Sequence, residues 1–302
     1  MDKEITNIIK AGKICSDVKK WVISNSLVIK GVPLIDIAEK IENKIIELGG
    51  KPAFPVNTSI NEVAAHYTPY FDDKSIAHGL IKIDFGVHVD GWAADNAISF
   101  DLENSQENKK LIESASKALA TAIEIVQNKK DKTSTFELGS VIQSSIQEDG
   151  FIPIINLSGH SIDHFDLHSG ITIPNISQKS SSQQLDDGLF AIEPFVTLSS
   201  ASGRVYDGKP SGIYQIKNLK NVRSPTAREI LNYINEEYGT LPFCSRWLYK
   251  KFGSKAFIAL KELESNGIVH QYDQLIESSK CKVAQAEHTI LINEGKVIIT
   301  TE

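Results

Sequence analysis

The amino-acid sequence predicts an α+β protein, because helical and strand-like patterns alternate in blocks along the chain. Three observations support this class. The first fifty residues are helical in pattern, an Asp90-Gly91 turn separates two runs that alternate apolar and polar residues, and a helical stretch from about Thr226 to Gly267 interrupts a strand-rich C-terminal half. The chain has 302 residues, with 41% hydrophobic and 23% charged. That is enough for one large domain, and we expect a single domain over residues 1–302.

Helices are clearest where apolar residues recur three or four positions apart. The three strongest stripes are Ile37, Ile41, Ile45 and Leu48; Leu111, Ala115, Ala118, Ala122 and Ile125; and Leu138, Ile142 and Ile146. Pro33 lies near the start of the first of these helices, and Gly49-Gly50 ends it. Ser134 and Glu137 have the spacing of a capping box before the third helix, which Gly150 closes.

A β-hairpin is predicted at Asp90-Gly91, because Asp-Gly between alternating apolar residues favours a two-residue turn. In that register Asp95 lies opposite Gly86, which leaves room beside it, and Asp84 is two residues further along the partner strand. Both aspartates would then share one face of the sheet as diagonal neighbours about 7–8 Å apart, close enough to meet at shared ions. The alternative is two solvated aspartates on an exposed face.

Three more potential ligands lie within or directly after strand-like apolar sequence further along the chain. His160 follows the strand-like run Phe151–Asn156, whereas Glu193 and Glu287 each have apolar neighbours. A buried carboxylate without a partner is costly, so each of these glutamates should bind a positive charge. A buried ion pair with an arginine is the alternative to metal binding for Glu193. Four acids and one histidine suit a pair of divalent cations.

Four histidines differ in the sequence that surrounds them. We expect His160 and His168 both to lie in glycine-flanked loops, which favours a functional role. His88 and His164 have no such context, and we expect both at the surface.

The C-terminal half contains a helical segment and a closing hairpin. The helical pattern covers Ala227–Tyr238, Ser245–Phe252 and Lys255–Asn266, with charges of mixed sign, which fits a small insertion packed on the main domain. The runs Thr289–Ile292 and Val297–Ile299 flank a Glu294-Gly295 turn and predict the hairpin.

The composition argues against several functional classes. The net charge is −6 and no long basic run occurs, so charge does not suggest nucleic-acid binding. The longest apolar runs, such as Phe151–Leu157, fall far short of the ~20 residues of a membrane span. Met1 is followed at once by charged residues, so we expect no secretory signal. The cysteines, Cys15, Cys244 and Cys281, are scattered, as in a reducing cytoplasm. We therefore expect a cytoplasmic protein.

The chain resembles the methionine aminopeptidases, and specifically the archaeal form of their type 2 branch. The matching motifs run in family order over nearly the whole chain: Phe54-Pro55, Ala64–Pro69, Lys82–Asp84, Asp95 with Ala97, Ser158–His160, Ala191–Glu193, Ala284-Gln285 and Glu287–Thr289. Tyr238–Cys244 with Arg246–Leu248 is similar to the type 2 signature. The resemblance implies the pita-bread fold, a curved antiparallel sheet flanked by helices, with a helical, winged-helix-like insertion over residues 215–270.

The resemblance also implies two divalent metal ions per chain. Asp84 would bind one ion, Asp95 and Glu287 would bridge both, and His160 and Glu193 would complete the shell of the other. Cobalt, manganese, iron(II) and zinc all accept this donor set. A hydroxide that bridges the two metals would attack the substrate carbonyl.

The implied reaction is removal of the N-terminal methionine, with a preference for a small second residue. Glu193 would carry the proton as general base and then acid, and His66 and His168 would contact the substrate amide and the tetrahedral intermediate. The methionine side chain would lie among Phe54, Leu167 and Tyr272. The expected partners are nascent polypeptide N-termini, with the ribosome as one place of encounter and no membrane or specific nucleic acid. We expect a monomer.

Two other functions are consistent with such a fold. One is a proline-specific peptidase such as prolidase, which an assay of Met-Ala-Ser against an X-Pro dipeptide distinguishes. The other is a ribosome- or RNA-binding relative that has lost its metals and binds through the helical segment. All five ligand positions are filled, which argues against the second.

Overall fold

A computed structural model describes residues 3–129 and 132–302, so residues 1–2 and 130–131 of the predicted domain lie outside it. The helices of the described residues are α1 (Lys3–Ser24), α2 (Leu34–Glu47), α3 (Gln106–Lys129), α4 (Thr135–Glu148), α5 (Pro225–Tyr238), α6 (Ser245–Phe252) and α7 (Lys255–Ser265), with a short 3-10 turn at Lys179–Ser181. None of them is long and apolar enough to cross a membrane.

The strands are short for the most part and pair antiparallel throughout. In chain order they are β1 (Lys51–Pro52), β2 (Asn57–Ile60), β3 (Val63–Ala65), β4 (Leu80–Val89), β5 (Trp92–Asp101), β6 (Phe151–Pro153), β7 (Ser158–Ile162), β8 (Thr172–Pro174), β9 (Gly188–Ile192), β10 (Phe195–Leu198), β11 (Val205–Ile216), β12 (Phe243–Cys244), β13 (Val269–Glu277), β14 (Val283–Gln285), β15 (His288–Asn293) and β16 (Lys296–Ile299). The α+β prediction is confirmed.

Each half of the molecule packs a pair of helices on antiparallel strands. Helices α1 and α2 bury their apolar stripes, including Ile37 and Ile41, against Ile83 and Phe85 of β4. Helices α3 and α4 pack in the same way against strands β9, β10, β14 and β15. Each isoleucine fully removed from water contributes roughly 1.5–3 kcal/mol, so these two layers hold the strands that carry the site.

Several local predictions are confirmed. Ser134 and Glu137 form the capping box that begins α4. In the β4–β5 hairpin, Val89 pairs with Trp92 and Gly86 pairs with Asp95, as the Asp-Gly turn predicts. Asp90 and Gly91 both have positive φ, at 53° and 84°, as a two-residue turn of this kind requires.

The C-terminal predictions also agree with the structure. Strands β15 and β16 pair around the Glu294-Gly295 turn. Helices α5, α6 and α7 lie between β11 and β13 and have their own apolar core. Helix α5 begins two residues earlier than predicted, since Ser224 caps its N-terminus and Pro225 opens it. The boundaries 215–270 for an insertion stay a prediction.

Four details of the sequence interpretation are wrong. The strand-like run from Phe151 ends at Pro153, and His160 lies within β7 instead of a loop. Glu193 and Glu287 each lie just outside a strand, because the chain there crosses from one sheet to another.

The fourth error concerns His88, which is 5% exposed and not a surface residue. Phe165 covers it, with ring centroids 5.9 Å apart, and its Nδ1 accepts a hydrogen bond from Gly91 N at 3.2 Å. Burial lowers the pKa of His88 to about 4. His164 is exposed, as predicted.

Candidate metal and substrate site

The β4–β5 hairpin places two carboxylates on one face of its sheet. Asp95 pairs with Gly86, and Asp84 lies two residues along β4 opposite Ala97. The backbone of Asp95 is held from both sides by Thr289, whose Oγ1 accepts from Asp95 N at 2.7 Å and donates to Asp95 O at 2.8 Å. The position of this aspartate therefore does not depend on its own side chain.

The room predicted beside Gly86 is occupied by an aromatic ring. A Cβ atom at this glycine would lie 2.5 Å from Cε1 of Phe54 and 2.9 Å from Cβ of Ala53. Only a residue without a side chain permits this approach. Gly86 thus lets the ring of Phe54 lie beside the two aspartates.

The other three predicted ligands come from the second half of the chain. His160 pairs with Ala191, and His288 pairs with Ile192, so strand β9 aligns the segments that carry His160, Glu193 and Glu287. Glu287 N donates to Ala97 O at 3.1 Å, which joins this sheet to the aspartate hairpin. Two sheets from distant parts of the sequence thus meet at one point.

The side chains at this point are spaced as if around a cation. His160 Nε2 lies 3.8 Å from Asp95 Oδ2 and 3.7 Å from Glu193 Oε1, too far for a hydrogen bond. Asp95, His160 and Glu287 offer one ligand atom each within 4.8 Å of one another, and all three side chains are buried.

Buried oxygen atoms at the site lack hydrogen-bond donors. Asp84 Oδ1, Asp95 Oδ1 and Glu287 Oε1 accept no hydrogen bond from the residues that the structure describes. A buried polar atom without a partner costs about 1–3 kcal/mol, and more when it is charged. The arrangement is explained if cations complete the coordination of these oxygens.

Burial perturbs every acid of the cluster in the same direction. Loss of solvent raises the pKa of Asp84 to about 7, even though the Gln285 amide lowers it. Burial, followed by repulsion from neighbouring carboxylates, raises the pKa of Asp95, Glu193 and Glu287 well above the ordinary range. Four carboxylates cannot all ionise here without added positive charge. The cluster can therefore hold a divalent metal.

All ten predicted site residues line one cavity of about 260 Å³. The cavity is formed by Phe54, Asn57, Ala65, His66, Asp84, Asp95, Asn156, Leu157, Ser158, His160, Leu167, His168, Glu193, Phe195, Ile213, Pro242, Tyr272, Leu275 and Glu287. Apolar and aromatic side chains thus adjoin the acidic cluster, which suits a substrate with an apolar side chain and a polar reacting group. The roles assigned to the ten residues stay predictions.

His66 has an unusual backbone and a defined tautomer. Its φ of 63° is in the left-handed region, which is strained for a residue with a side chain. Nδ1 lies 3.2 Å from the carbonyl oxygen of Asp273, which can only accept, so Nδ1 carries the proton. Burial lowers the pKa of His66 to about 4. The ring is therefore neutral near pH 7, and its Nε2 can accept a hydrogen bond from a peptide N–H.

His168 is exposed, lines the cavity and lies beside the predicted metal ligand His160. Its ring centroid is 4.2 Å from that of His160. Leu167, the residue before it, is 4% exposed and faces the apolar part of the cavity. This loop therefore contributes one polar and one apolar side chain to the site.

Three residues that the sequence interpretation missed also belong to the site. Gln285 Nε2 donates to Glu193 Oε2 at 3.2 Å and lies 3.5 Å from Asp84 Oδ2. Asn96 Nδ2 donates to the backbone oxygen of Glu287 at 2.6 Å and so fixes that ligand segment. A signal was available for both, since each is a polar residue in apolar strand sequence: Asn96 directly follows Asp95, and Gln285 lies two residues before Glu287.

Asn57 is the third of these residues. It is 4% exposed, pairs with Asp84 in the register of β2 and β4, and lines the cavity. Its Nδ2 donates to Pro55 O at 2.9 Å, whereas its Oδ1 has no partner among the described residues. Asn57 therefore presents a free acceptor atom next to the acidic cluster.

The chain is similar over its whole length to archaeal proteins named methionine aminopeptidase. The protein of Pyrococcus abyssi is 43% identical over 303 residues, which cover 99% of this chain and 100% of that protein. The protein of Methanocaldococcus jannaschii is 43% identical over 298 residues, covering 98% and 97%. That of Saccharolobus solfataricus is 36% identical over 309 residues, covering 100% and 99%. No protein-family model matches the chain.

Solved structures share the fold at lower identity. A thermophilic Arx1 superposes with a TM-score of 0.83 at 17% identity, over 99% of this chain and 91% of that one. A methionine aminopeptidase from Thermotoga maritima gives 0.69 at 21% identity, over 100% and 98%. A prolidase from Pyrococcus furiosus gives 0.60 at 18% identity, over 100% of this chain and 64% of that one. The predicted pita-bread fold is confirmed by these neighbours.

Proposed function

The chain belongs to the methionine aminopeptidase family, hydrolases that remove N-terminal methionine, and we propose that it acts on nascent proteins and peptides with a small second residue, using two divalent metal ions. The observation that carries the proposal is the buried cluster of four carboxylates and His160 beside an apolar cavity. We expect turnover with cobalt, manganese, iron(II) or zinc, which all accept this donor set.

The five ligands would hold the ions between the two sheets. Asp84 would bind one ion, Asp95 and Glu287 would bridge the two, and His160 and Glu193 would complete the other shell. The unpartnered oxygens of Asp84, Asp95 and Glu287 support this assignment. When bound, the ions supply Lewis acidity and lower the pKa of the attacking water.

Proton transfer would be the task of Glu193. Burial raises the pKa of its carboxyl, which makes the ionised form a stronger base than an exposed glutamate. The amide of Gln285 holds Oε2 of Glu193 and leaves Oε1 facing His160. Glu193 would take the proton of the water and deliver it to the leaving amine.

The two remaining histidines would bind the peptide around the scissile bond. The free Nε2 of His66 would accept a hydrogen bond from the substrate amide, and His168 would donate to the developing oxyanion. The methionine side chain would lie among Phe54, Leu167 and Tyr272, where the cavity wall is apolar or aromatic. An unbranched thioether adapts well to such a pocket.

Substrate choice gives a direct test. Among Met-Xaa-Ser peptides we expect efficient methionine release when Xaa is Gly, Ala or Ser, and a kcat/KM at least about tenfold lower when Xaa is Leu or Arg, since a misfitting group costs roughly 1–3 kcal/mol. Mass spectrometry of released methionine measures the series. Equal rates for Ala and Arg would contradict the small-residue preference.

The same assay separates the proposed function from that of a prolidase. Ala-Pro should not be cleaved by metal-loaded protein under conditions in which Met-Ala-Ser is hydrolysed. Cleavage of Ala-Pro without release of methionine would assign the protein to the proline-specific peptidases.

The proposed partners are nascent polypeptide N-termini in the cytoplasm, with the ribosome as one place of encounter. We propose no membrane and no specific nucleic acid as partner, and a monomeric protein. The sequence basis is the net charge of −6 without a basic run.

A further inference from the structure

The His168 loop, residues 163–168, is held by two parts of the molecule that are distant in sequence. Phe165 N donates to Gly91 O at 2.9 Å, at the tip of the hairpin that carries the aspartates. On its other side, Thr240 Oγ1 donates to Phe165 O. Thr240 belongs to the connection that follows α5. The helical region, which comprises α5, α6, α7 and their connections, therefore contacts the loop directly.

The ring of Phe165 lies between two glycines at these contacts. A side chain at Gly91 would approach the ring to 2.3 Å, and one at Gly239 would approach it to 3.1 Å. Both glycines have positive φ. The absence of side chains at these two positions lets the loop pack closely against both the hairpin and the helical region.

A chain of hydrogen bonds continues from Thr240 to another wall of the cavity. Gln215 Nε2 donates to Thr240 O at 2.8 Å, and the hydroxyl of Tyr272 donates to Gln215 Oε1 at 2.7 Å. Three successive hydrogen bonds therefore join Phe165, through Thr240 and Gln215, to Tyr272. The first end is three residues from His168, and the last is a residue that lines the cavity.

A buried ion pair joins the helical region to the main domain. Arg246 of α6 is fully buried and pairs with Glu42 of α2 through two contacts of 2.7 and 2.8 Å. Its Nε donates to Pro69 O at 3.0 Å, in the segment that follows His66. Bidentate pairs of this kind fix geometry as well as charge. Helix α6, which follows the connection that carries Thr240, is thus anchored to α2 and to the segment after His66.

We propose that Thr240 and Gln215 are positioning residues for substrate binding, which hold the His168 loop and Tyr272 at a fixed separation across the cavity. Neither residue touches the reacting groups, and they act through Phe165 and Tyr272. The inference rests on the proposed function, because the separation matters for binding only if the cavity accepts a methionyl peptide.

The test begins with Thr240→Val, which removes the hydroxyl and keeps the side-chain shape at an exposed position. We expect KM for Met-Ala-Ser to rise about two- to tenfold, the usual effect of losing one hydrogen bond, while kcat and metal affinity stay at wild-type values. Thr240→Ser retains the hydroxyl and should restore KM. Thr121→Val is the matched control, since Thr121 is half-buried on α3, far from this network in sequence, and its hydroxyl donates to Lys117 O of its own helix.

Amide hydrogen exchange is a second measurement, and it does not depend on enzymatic activity. The amide of Phe165 should exchange faster in Thr240→Val than in wild type, and Thr121→Val should leave it unchanged. If wild type releases no methionine but this exchange still increases, the proposed function fails and the structural link stands. An unchanged KM together with unchanged exchange in Thr240→Val would overturn the inference, as would a KM for Thr240→Ser as high as that of Thr240→Val.

A double-mutant comparison tests whether the two residues act through one chain. Gln215→Met breaks the links to Thr240 and Tyr272 without a large change in volume, and it also removes the acceptor of the hydrogen bond from Lys217 Nζ at 2.6 Å. Combined with Thr240→Val, it should raise KM little beyond the larger single effect, because residues in one hydrogen-bond network are not additive. Multiplicative effects would mean two separate contacts and would contradict the proposal.

Discussion

Replacing Glu193 with glutamine should lower kcat for methionine release by about 10²–10⁴-fold, the usual contribution of a positioned general base. Glutamine keeps the shape of the side chain but cannot accept the proton. Gln285 donates to Oε2 of Glu193, so an amide oxygen can still occupy that position and the local packing should persist.

Because Glu193 is also a proposed metal ligand, the assay must be run at saturating metal and accompanied by metal analysis. A fall in kcat with bound metal retained assigns the loss to proton transfer. Glu148→Gln, on the exposed face of α4, is the matched control and should keep wild-type activity. Turnover of the Glu193 variant near the wild-type rate would remove Glu193 as the proton carrier.

The variant Asp95→Asn should lose metal binding while its metal-free form remains folded. Mutation of the outer-shell partners of a metal site typically costs 10–100-fold in metal affinity. We therefore expect the loss of Asp95, a proposed bridging ligand, to lower the affinity by more than about 100-fold. The backbone of Asp95 is held by Thr289 and should stay in place.

Asp95→Asn should weaken metal binding, but it should not lower the thermal stability of the metal-free protein. Asp95 is 5% exposed, and burial together with the neighbouring Asp84 raises the pKa of its carboxyl. A neutral amide removes that repulsion, so metal-free Asp95→Asn should have a Tm at or above that of wild type.

Thermal unfolding with and without manganese measures both effects. Wild type should gain stability from the metal by mass action, and Asp95→Asn should gain little. The control is Asp17→Asn, at a residue of α1 that pairs with Lys13 and whose side chain is 43% exposed, and it should behave as wild type. A metal-induced shift in Asp95→Asn equal to that of wild type would show that the ions bind elsewhere.

The parts of the site that are local in sequence were predictable. The Asp90-Gly91 turn fixes the register of its hairpin, and that register alone brings Asp84 and Asp95 to one face. The capping box of Ser134 and Glu137 is likewise decided within four residues. In both cases short-range geometry determines the outcome.

What depends on distant packing was not predictable. His88 is buried because Phe165, far away in the sequence, covers it. Glu193 and Glu287 leave their strands because the chain crosses between sheets there, which periodicity does not reveal. The hydrogen-bond chain from Phe165 to Tyr272 joins four separate segments of the sequence, so no local pattern indicates it.

The most direct test of the account is methionine release by protein stripped of metal with a chelator, measured before and after adding back manganese, iron(II), cobalt or zinc. Free methionine should appear from Met-Ala-Ser only after a divalent ion is restored. Undiminished release by the stripped protein, or no release with any of the four ions, would contradict the claim that this buried acidic cluster is a metal-dependent aminopeptidase site.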